Sequence, residues 1–528
     1  MIARSDGPPP AALKLLASFL LLCALAAGAL AILRVLRPDR VFFYTEGPVL
    51  GSLGAYLRSG ELATLYPAGG WTEPPMVATL YPPLFFWISA LGMKGLGADG
   101  SLLVPRLVSL VALAGSLLIL ARSSRRSGAP WTWAAALLGG LMLAPSVSHL
   151  AASAQVDALA LFWSVAAVGC ALRIRARESV RDAAGPAPKR PWVRRAAALG
   201  LAFLAAFTKQ SFVAAAIAIV AVDARGGRRR RAALSALALA VPAALAIVWL
   251  NARTGGGYWL NTASALTGSF GAASFRATIV DSRPLAWIPV LVLGAWLARR
   301  RRVPPLLGWY AAASWLLNLA ASFKTGASSN YLLEPLFASV WLALASRERE
   351  STAEGADGRV SGRRRLAAGW VAAILIGVAA TPGAGSVGRS LVGVWRAKDP
   401  MFRVGGLESG HPLVDAEAIP ALLRAGLLPF VNDPVLFGVL HDAGLWDVRH
   451  LTRRLETREV PFVITFTDLG GGPLPEGTTA KTAGVGLSYL WRLPAVWEAV
   501  TDHYVLAGAG DSYLWTPAPD RAEAPGGS

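Results

Sequence analysis

The chain has 528 residues, of which 54% are hydrophobic and 16% charged, with a mean hydropathy of +0.47. Soluble globular proteins carry about 25% charged residues, so the composition excludes a water-soluble enzyme throughout, and equally a disordered or collagen-like chain. The formal net charge of +19 would suit a nucleic-acid partner, but its distribution points elsewhere. Residues 1–384 hold 39 Lys/Arg against 16 Asp/Glu, whereas residues 385–528 hold 12 against 16. A basic, apolar body followed by a mildly acidic tail reads as an α-helical polytopic membrane protein with basic loops.

In chain order, eleven apolar runs are long enough to be candidate spans: 11–36, 102–121, 131–149, 156–172, 196–209, 211–224, 232–250, 285–298, 304–321, 331–346 and 366–384. The first lacks a small-residue cleavage site and is expected to stay as an anchor. Lys209-Gln210 divides the fifth run from the sixth. Arg122–Arg126, the basic residues between Arg173 and Arg195, Arg225–Arg231, Arg299–Arg302 and Arg347–Arg365 all fall on one side with these spans. Positive loops stay in the cytoplasm, so a plasma-membrane protein with its N-terminus inside and its C-terminus outside is expected. Arg34, Arg37 and Arg40 fall on the other side and need a partner there.

The body, 1–384, is expected to carry a long outer loop at 37–101. Residues 385–528 are expected to form a small extracytoplasmic α/β domain, with strands at 427–433, 461–468 and 503–517 and helices at 414–426, 434–444 and 449–458. Cys23 and Cys170 sit inside apolar runs and read as small buried hydrophobes.

Polar residues at the outer ends of the spans are the candidates for chemistry, because an ionisable group in an apolar span needs a reason to be there. Glu46 lies just past the first span in VFFYTEGPVLGSLGAYLRSG, and Tyr81 opens YPPLFFWISA. The aromatics of that second segment are either an interfacial belt or one wall of a lipid groove. Asp157, in QVDALALFW, is either functional or a first-turn acid that complements the helix dipole. Lys209 and Gln210 have apolar residues on both sides, so the lysine either holds an anion or snorkels to the interface. Lys324 precedes Asn330, Tyr331 and Glu334, and the last of these lies one turn beyond Asn330. Arg253 opens a glycine-rich loop. The sequence contains no P-loop, no GxSxG elbow, no HExxH and no CxxC pair. The five histidines show no metal-ligand spacing.

The order of FYTEGPVLGSLGAYLRSG, YPPLFFWISA, PRLVSL, QVDALALFW, FTKQ and NYLLE resembles the C-type glycosyltransferase superfamily, closest to its family 39, over residues 11–384. The resemblance implies transfer of a sugar, with inversion, from a polyprenyl-phosphate carrier among membrane lipids to an extracytoplasmic acceptor, without nucleic acid. It implies a carboxylate base in the first outer loop, commonly an Asp-Glu pair in the family. Here Thr45 stands in the Asp position, leaving Glu46 as the base. It makes Asp157 the second outer acid and Lys209 the phosphate holder, with Arg106, Arg253 and Lys324 in reserve. Gln210, Asn330, Tyr331, Glu334 and Tyr81 would line the substrate. A divalent metal is compatible with such a reaction, but no cofactor follows from the residues. Two other classes compete: a lipid-linked sugar transporter, and a non-catalytic membrane scaffold.

Overall fold

A computed structural model of the chain describes residues 11–38, 41, 44–69, 71–98, 100–126, 131–144, 147, 150–151, 153–184, 191–263, 272–276, 304–324, 329–345, 410–415, 418–442, 444–465, 493–509 and 513–519. Within these residues, helices stand at nine of the eleven expected spans: Ala11–Val35, Leu103–Arg126, Trp131–Leu143, Val156–Ala184, Pro191–Thr208, Ala214–Arg225, Arg229–Arg253, Pro305–Ala321 and Leu333–Ala345. The expected spans 285–298 and 366–384 lie outside the described residues. Four helical segments are long and apolar enough to cross a membrane: Ala17–Val35, Leu103–Arg126, Val156–Arg175 and Arg229–Arg253. Their outward faces carry exposed leucines and aromatics, among them Phe19, Leu22 and Leu25 on the first helix and Leu234, Leu237, Leu245 and Trp249 on the last. Such a surface belongs in lipid.

The helix bundle combines neighbours in sequence with distant pairs. The helix Val156–Ala184 packs on Leu103–Arg126 and on Pro191–Thr208, and Ala214–Arg225 packs on Arg229–Arg253 and on Pro305–Ala321. At the basic end, Asp223, buried at its carboxylate, pairs with Arg175 at 2.8 Å and with Arg195, which also reaches Ser235. One carboxylate thus clamps helices whose arginines would otherwise repel one another.

Segment 37–101, expected to be an outer loop, holds the helices Glu46–Ser59, Leu62–Leu65 and Leu84–Leu96 among its described residues. The first ends at Gly60, whose positive φ of 70° lets its N–H return to the Tyr56 carbonyl at 2.8 Å. The last starts directly behind Pro82-Pro83, the residue types that open a helix without losing a needed donor.

The C-terminal part holds a four-stranded mixed sheet in the order β1-β2-β4-β3, made of Leu413–Val414, Val463–Thr465, Tyr513–Pro517 and Tyr504–Ala509. β1 and β2 are parallel, and the other two pairs are antiparallel. Helices Ile419–Arg424, Pro434–Asp442 and Arg449–Glu456 form where expected, and a further helix, Pro494–His503, precedes β3. Two expectations need correction. Segment 503–517 is a hairpin of two strands, because residues on either side of 510–512 pair with each other. Segment 427–433 is not a strand. It makes one parallel bridge, Val431 to Met76, and Asn432-Asp433-Pro434 then turns it into a helix.

That bridge shows how the two parts of the chain meet. The Met76 N–H donates to the Phe430 carbonyl at 2.7 Å, and the Asn432 N–H to the Met76 carbonyl at 3.1 Å. Trp71, Met76 and Ala78 of the outer segment are buried in one core with Phe430, Phe437, Trp446 and Trp515. Ile419, Leu422 and Leu423 are buried in turn in the core of the helix bundle, where Leu423 lies against Gly54.

Gly257 marks the tightest approach within the outer side. A Cβ there would lie 1.9 Å from the Tyr66 carbonyl oxygen and 2.9 Å from the Ala68 nitrogen, both backbone atoms. Gly257→Ala is expected to cost roughly 1–3 kcal/mol as an overpacked site, seen as a lowered apparent melting temperature in detergent. An unchanged transition would show that the backbone yields freely there.

Candidate functional site

Helix ends on the side away from the arginine clusters converge on a cavity lined by Thr45, Ser52, Thr79, Tyr81, Gln155, Asp157, Asn330 and Asp433, with Pro48, Val49, Phe86 and Leu436 among its apolar residues. Each wall comes from a different part of the chain. The helix Glu46–Ser59 and the stretch 78–81 supply one side, the start of the helix Val156–Ala184 the second, the 3₁₀ turn Ser329–Leu332 the third, and the C-terminal part the fourth.

At its base lies an ion pair. Lys209 Nζ stands 2.6 Å from Asp157 Oδ1, and the two side chains are 3% and 2% exposed. Asp157 is in the first turn of its helix, and Lys209 is in the break between Pro191–Thr208 and Ala214–Arg225. The ammonium also lies 4.7 Å from the Tyr331 ring centre and 5.6 Å from that of Tyr81, aromatic faces that favour a cation. Asn330 Nδ2 reaches Asp157 Oδ2 at 3.5 Å. Gln210 Nε2 donates to the Leu80 carbonyl at 2.9 Å and so fixes the stretch that carries Tyr81. Lys324 is half-buried nearby, and burial together with the Lys209 charge pulls its ammonium down to about 8.

The structure places the other expected residues apart from this group. Glu46 is fully buried and receives Arg106 through both oxygens, Nε to Oε1 and Nη2 to Oε2, each at 2.7 Å. Its Oε1 also accepts the Ala154 N–H at 3.0 Å. Arg106 Nη1 donates to the carbonyls of Arg34 and Arg37, both at 2.8 Å. Four chain segments therefore meet at one buried fork. Both the carboxylate and the guanidinium are committed to protein partners. The neighbouring Thr45, not Glu46, lines the cavity, and its hydroxyl accepts the Gln155 amide. Arg253 lines a separate cavity with Tyr56, Glu61, Trp87 and Trp249. Glu334 turns into the bundle, where Ser164 Oγ donates to its Oε1 at 2.5 Å. Among the described residues, no group of three or more His, Cys, Asp or Glu side chains comes together as metal ligands.

Sequence reasoning missed Asn432 and Asp433. Asn432 Nδ2 donates to Ser52 Oγ at 2.9 Å, and its Oδ1 accepts the Ala78 N–H at 3.0 Å, so it pins the C-terminal part to the cavity rim. Asp433 Oδ1 accepts the Tyr44 hydroxyl at 2.5 Å and the Leu436 N–H at 3.0 Å. The only sequence signal was Asn-Asp-Pro before an apolar run, which marks a helix start and says nothing about a cavity.

The Glu46–Arg106 geometry predicts a loss of stability on mutation rather than a loss of a base. Glu46→Gln strands a buried guanidinium, which costs on the order of 3–5 kcal/mol. Glu46→Gln with Arg106→Met should recover a good part of the apparent melting temperature in detergent. If Glu46→Gln melts like wild type and still abolishes activity, the fork is not a structural element.

No protein-family model matches the sequence, and no curated protein matches it. Solved structures do. The chain is similar to ArnT from Cupriavidus metallidurans bound to undecaprenyl phosphate, with TM-score 0.58 and 13% identity over 95% of this chain and 98% of that one. For the same protein in the apo state the values are 0.56 and 14%, over 95% and 99%. The Archaeoglobus fulgidus oligosaccharyltransferase in its apo form matches with TM-score 0.49 and 13% identity, over 86% of this chain and 69% of that one. At such identities it is the path of the backbone that is shared. Over nearly its whole length, the chain shares the backbone fold of the ArnT structures.

Proposed function

We propose that the chain transfers a sugar from a polyprenyl-phosphate carrier to a hydroxyl acceptor on the outer face of the plasma membrane, with inversion at the anomeric carbon. The observation that carries this reading is the buried Lys209–Asp157 pair at the base of the cavity, ringed by Tyr81, Tyr331 and Asn330. A lipid phosphate entering from the membrane brings an anion to a buried ammonium that is already desolvated. There it gains more than it would in water, because charges interact strongly where the dielectric is low. Lys209 then stabilises the negative charge that grows on the phosphate as the glycosidic bond breaks. Asp157 holds the ammonium in place and keeps the empty site neutral. Asn330 and Tyr81 flank the sugar. The ArnT structure that shares this fold holds undecaprenyl phosphate, which supports a donor of that class.

The orientation follows from charge. Asp157 starts its helix at the cavity end, whereas Arg173 and Arg175 lie towards the far end, beside Asp223, Arg195 and the run Arg228–Arg231. The positive-inside rule puts the arginine end in the cytoplasm, which leaves the cavity and the C-terminal part outside.

Lys209→Met keeps bulk and removes charge. Transfer of labelled sugar from undecaprenyl-phosphate-linked donors in membranes should fall by about 10²-fold or more, and Lys209→Arg should retain more of it. Equal transfer by wild type and Lys209→Met would end the phosphate-holding role. For orientation, a chain with Cys23 and Cys170 replaced carries either His450→Cys or Arg228→Cys. A membrane-impermeant maleimide on intact cells is expected to label the first and spare the second. The reverse pattern would invert the topology and place the cavity in the cytoplasm.

A further inference from the structure

Two carboxylates line the cavity, Asp157 and Asp433. They differ in what they are bound to. Asp157 is committed to Lys209, whose ammonium lies 2.6 Å from its Oδ1. Asp433 has no Lys, Arg or His paired with it among the described residues. Its Oδ1 receives a phenol and a backbone N–H, both neutral donors. It comes from the C-terminal part and sits on the same cavity as Thr45, a residue that can take no proton.

We propose that Asp433 is the base of the transfer, supplied to the cavity by the C-terminal part of the chain. This assignment rests on reading the protein as a lipid-phosphate sugar transferase. In the step, the acceptor hydroxyl gives its proton to the Asp433 carboxylate while its oxygen bonds to the anomeric carbon. The bond from that carbon to the phosphate oxygen breaks, and its electron pair stays on the polyprenyl phosphate beside Lys209. Asp433 then returns the proton to water.

Further observations fit. The residue is half-buried and lines the cavity. Burial pushes its carboxyl above the usual carboxylate range, against the opposing pull of Tyr44 and the N–H groups of Leu436 and Val435. This moves it towards the basicity that general bases use. Tyr44 is itself held protonated, first by burial and then by Asp433, and the Val435 N–H donates to its hydroxyl at 2.8 Å. The tyrosine therefore orients the carboxylate without competing for the acceptor's proton. Asn432, one residue earlier, anchors the peptide to Ser52 and Ala78. The base is thus positioned by the contact that joins the two parts of the chain.

Asp433 also faces a duller role, as the cap of the helix Pro434–Asp442 through the Leu436 N–H. Asp433→Asn separates the two, because asparagine caps as well as aspartate and still accepts from Tyr44. The assay uses undecaprenyl-phosphate-linked labelled hexose and aminopentose donors, with membranes of the source organism supplying the acceptor. Asp433→Asn should lower transfer about 10²–10⁴-fold, with wild-type melting and wild-type affinity for undecaprenyl phosphate. Wild-type transfer should fall as the pH drops through the Asp433 titration, and that acid limb should vanish in the variant. The groups facing Asp433 are Tyr44, Tyr81 and, beyond them, Asp157, Lys209 and Asp415; Asp157→Asn should leave the acid limb in place. Thr45→Asp added to Asp433→Asn returns a carboxylate to the same cavity and should restore part of the rate. Undiminished transfer by Asp433→Asn overturns the assignment and leaves the transferase reading standing. So does a loss of transfer that tracks a loss of melting temperature and of undecaprenyl-phosphate affinity, with no rescue by Thr45→Asp. Wild type inactive with every donor overturns the transferase reading, and the assignment with it.

Discussion

The buried fork between Arg106 and Glu46 is the constraint on which the cavity end of the molecule depends. One guanidinium joins the start of the helix Leu103–Arg126 to the start of Glu46–Ser59 and to the carbonyls at the end of the first span. The Glu46 carboxylate adds the backbone at Ala154, just before the helix that carries Asp157. Burying two such charges is expensive unless every donor and acceptor is used, and here the fork is used in full. It fixes where Thr45 and Gln155 stand, and therefore one edge of the cavity.

The cavity is a composite in which no segment is sufficient. A buried ion pair sits at its base, aromatic faces surround the ammonium, and the C-terminal part closes the remaining side, held by the Met76–Val431 bridge, the Asn432 side chain and the Tyr44–Asp433 bond among other contacts. The contact works by backbone pairing at Met76 and Val431 and by an amide that uses both its oxygen and its nitrogen. These directional bonds set position, while the apolar contacts of Ile419, Leu422 and Leu423 with the bundle core add attachment. The acidic and basic halves of the chain are not independent bodies on the outer side, because Trp71 and Met76 of the first outer segment are buried among C-terminal residues.

Much of the helix bundle was legible in the sequence, and for a simple reason. In lipid every backbone group must be satisfied within its own segment, so an apolar run of sufficient length has little choice but to be a helix. Even the break at Lys209-Gln210 could be read, because a charge amid apolar residues marks an end. The helices Glu46–Ser59 and Leu84–Leu96 were hidden inside a supposed loop, since they are short and their stability comes from packing against the bundle. In the C-terminal part, 427–433 is an apolar run bounded like a strand, but among the described residues it forms one bridge, to Met76, before a helix starts at Pro434.

What the sequence by itself determined is the class of protein, the position of most spans, the basic end, and the identity of Asp157 and Lys209 as residues that need a reason to be buried. It also singled out Glu46, but it could not say that Arg106, sixty positions away, takes both carboxylate oxygens. Spacing along a helix fixes a face, not a partner on another helix. Nor could it bring Asp433 to the cavity. A residue in an Asn-Asp-Pro turn looks like any helix cap until the chain closes on itself, and the contact that places it joins residues some 354 positions apart. Local periodicity determines which segments are helices. Only the tertiary structure decides which charges are neutralised by partners and which remain open to a substrate, because that depends on what approaches from elsewhere in the chain.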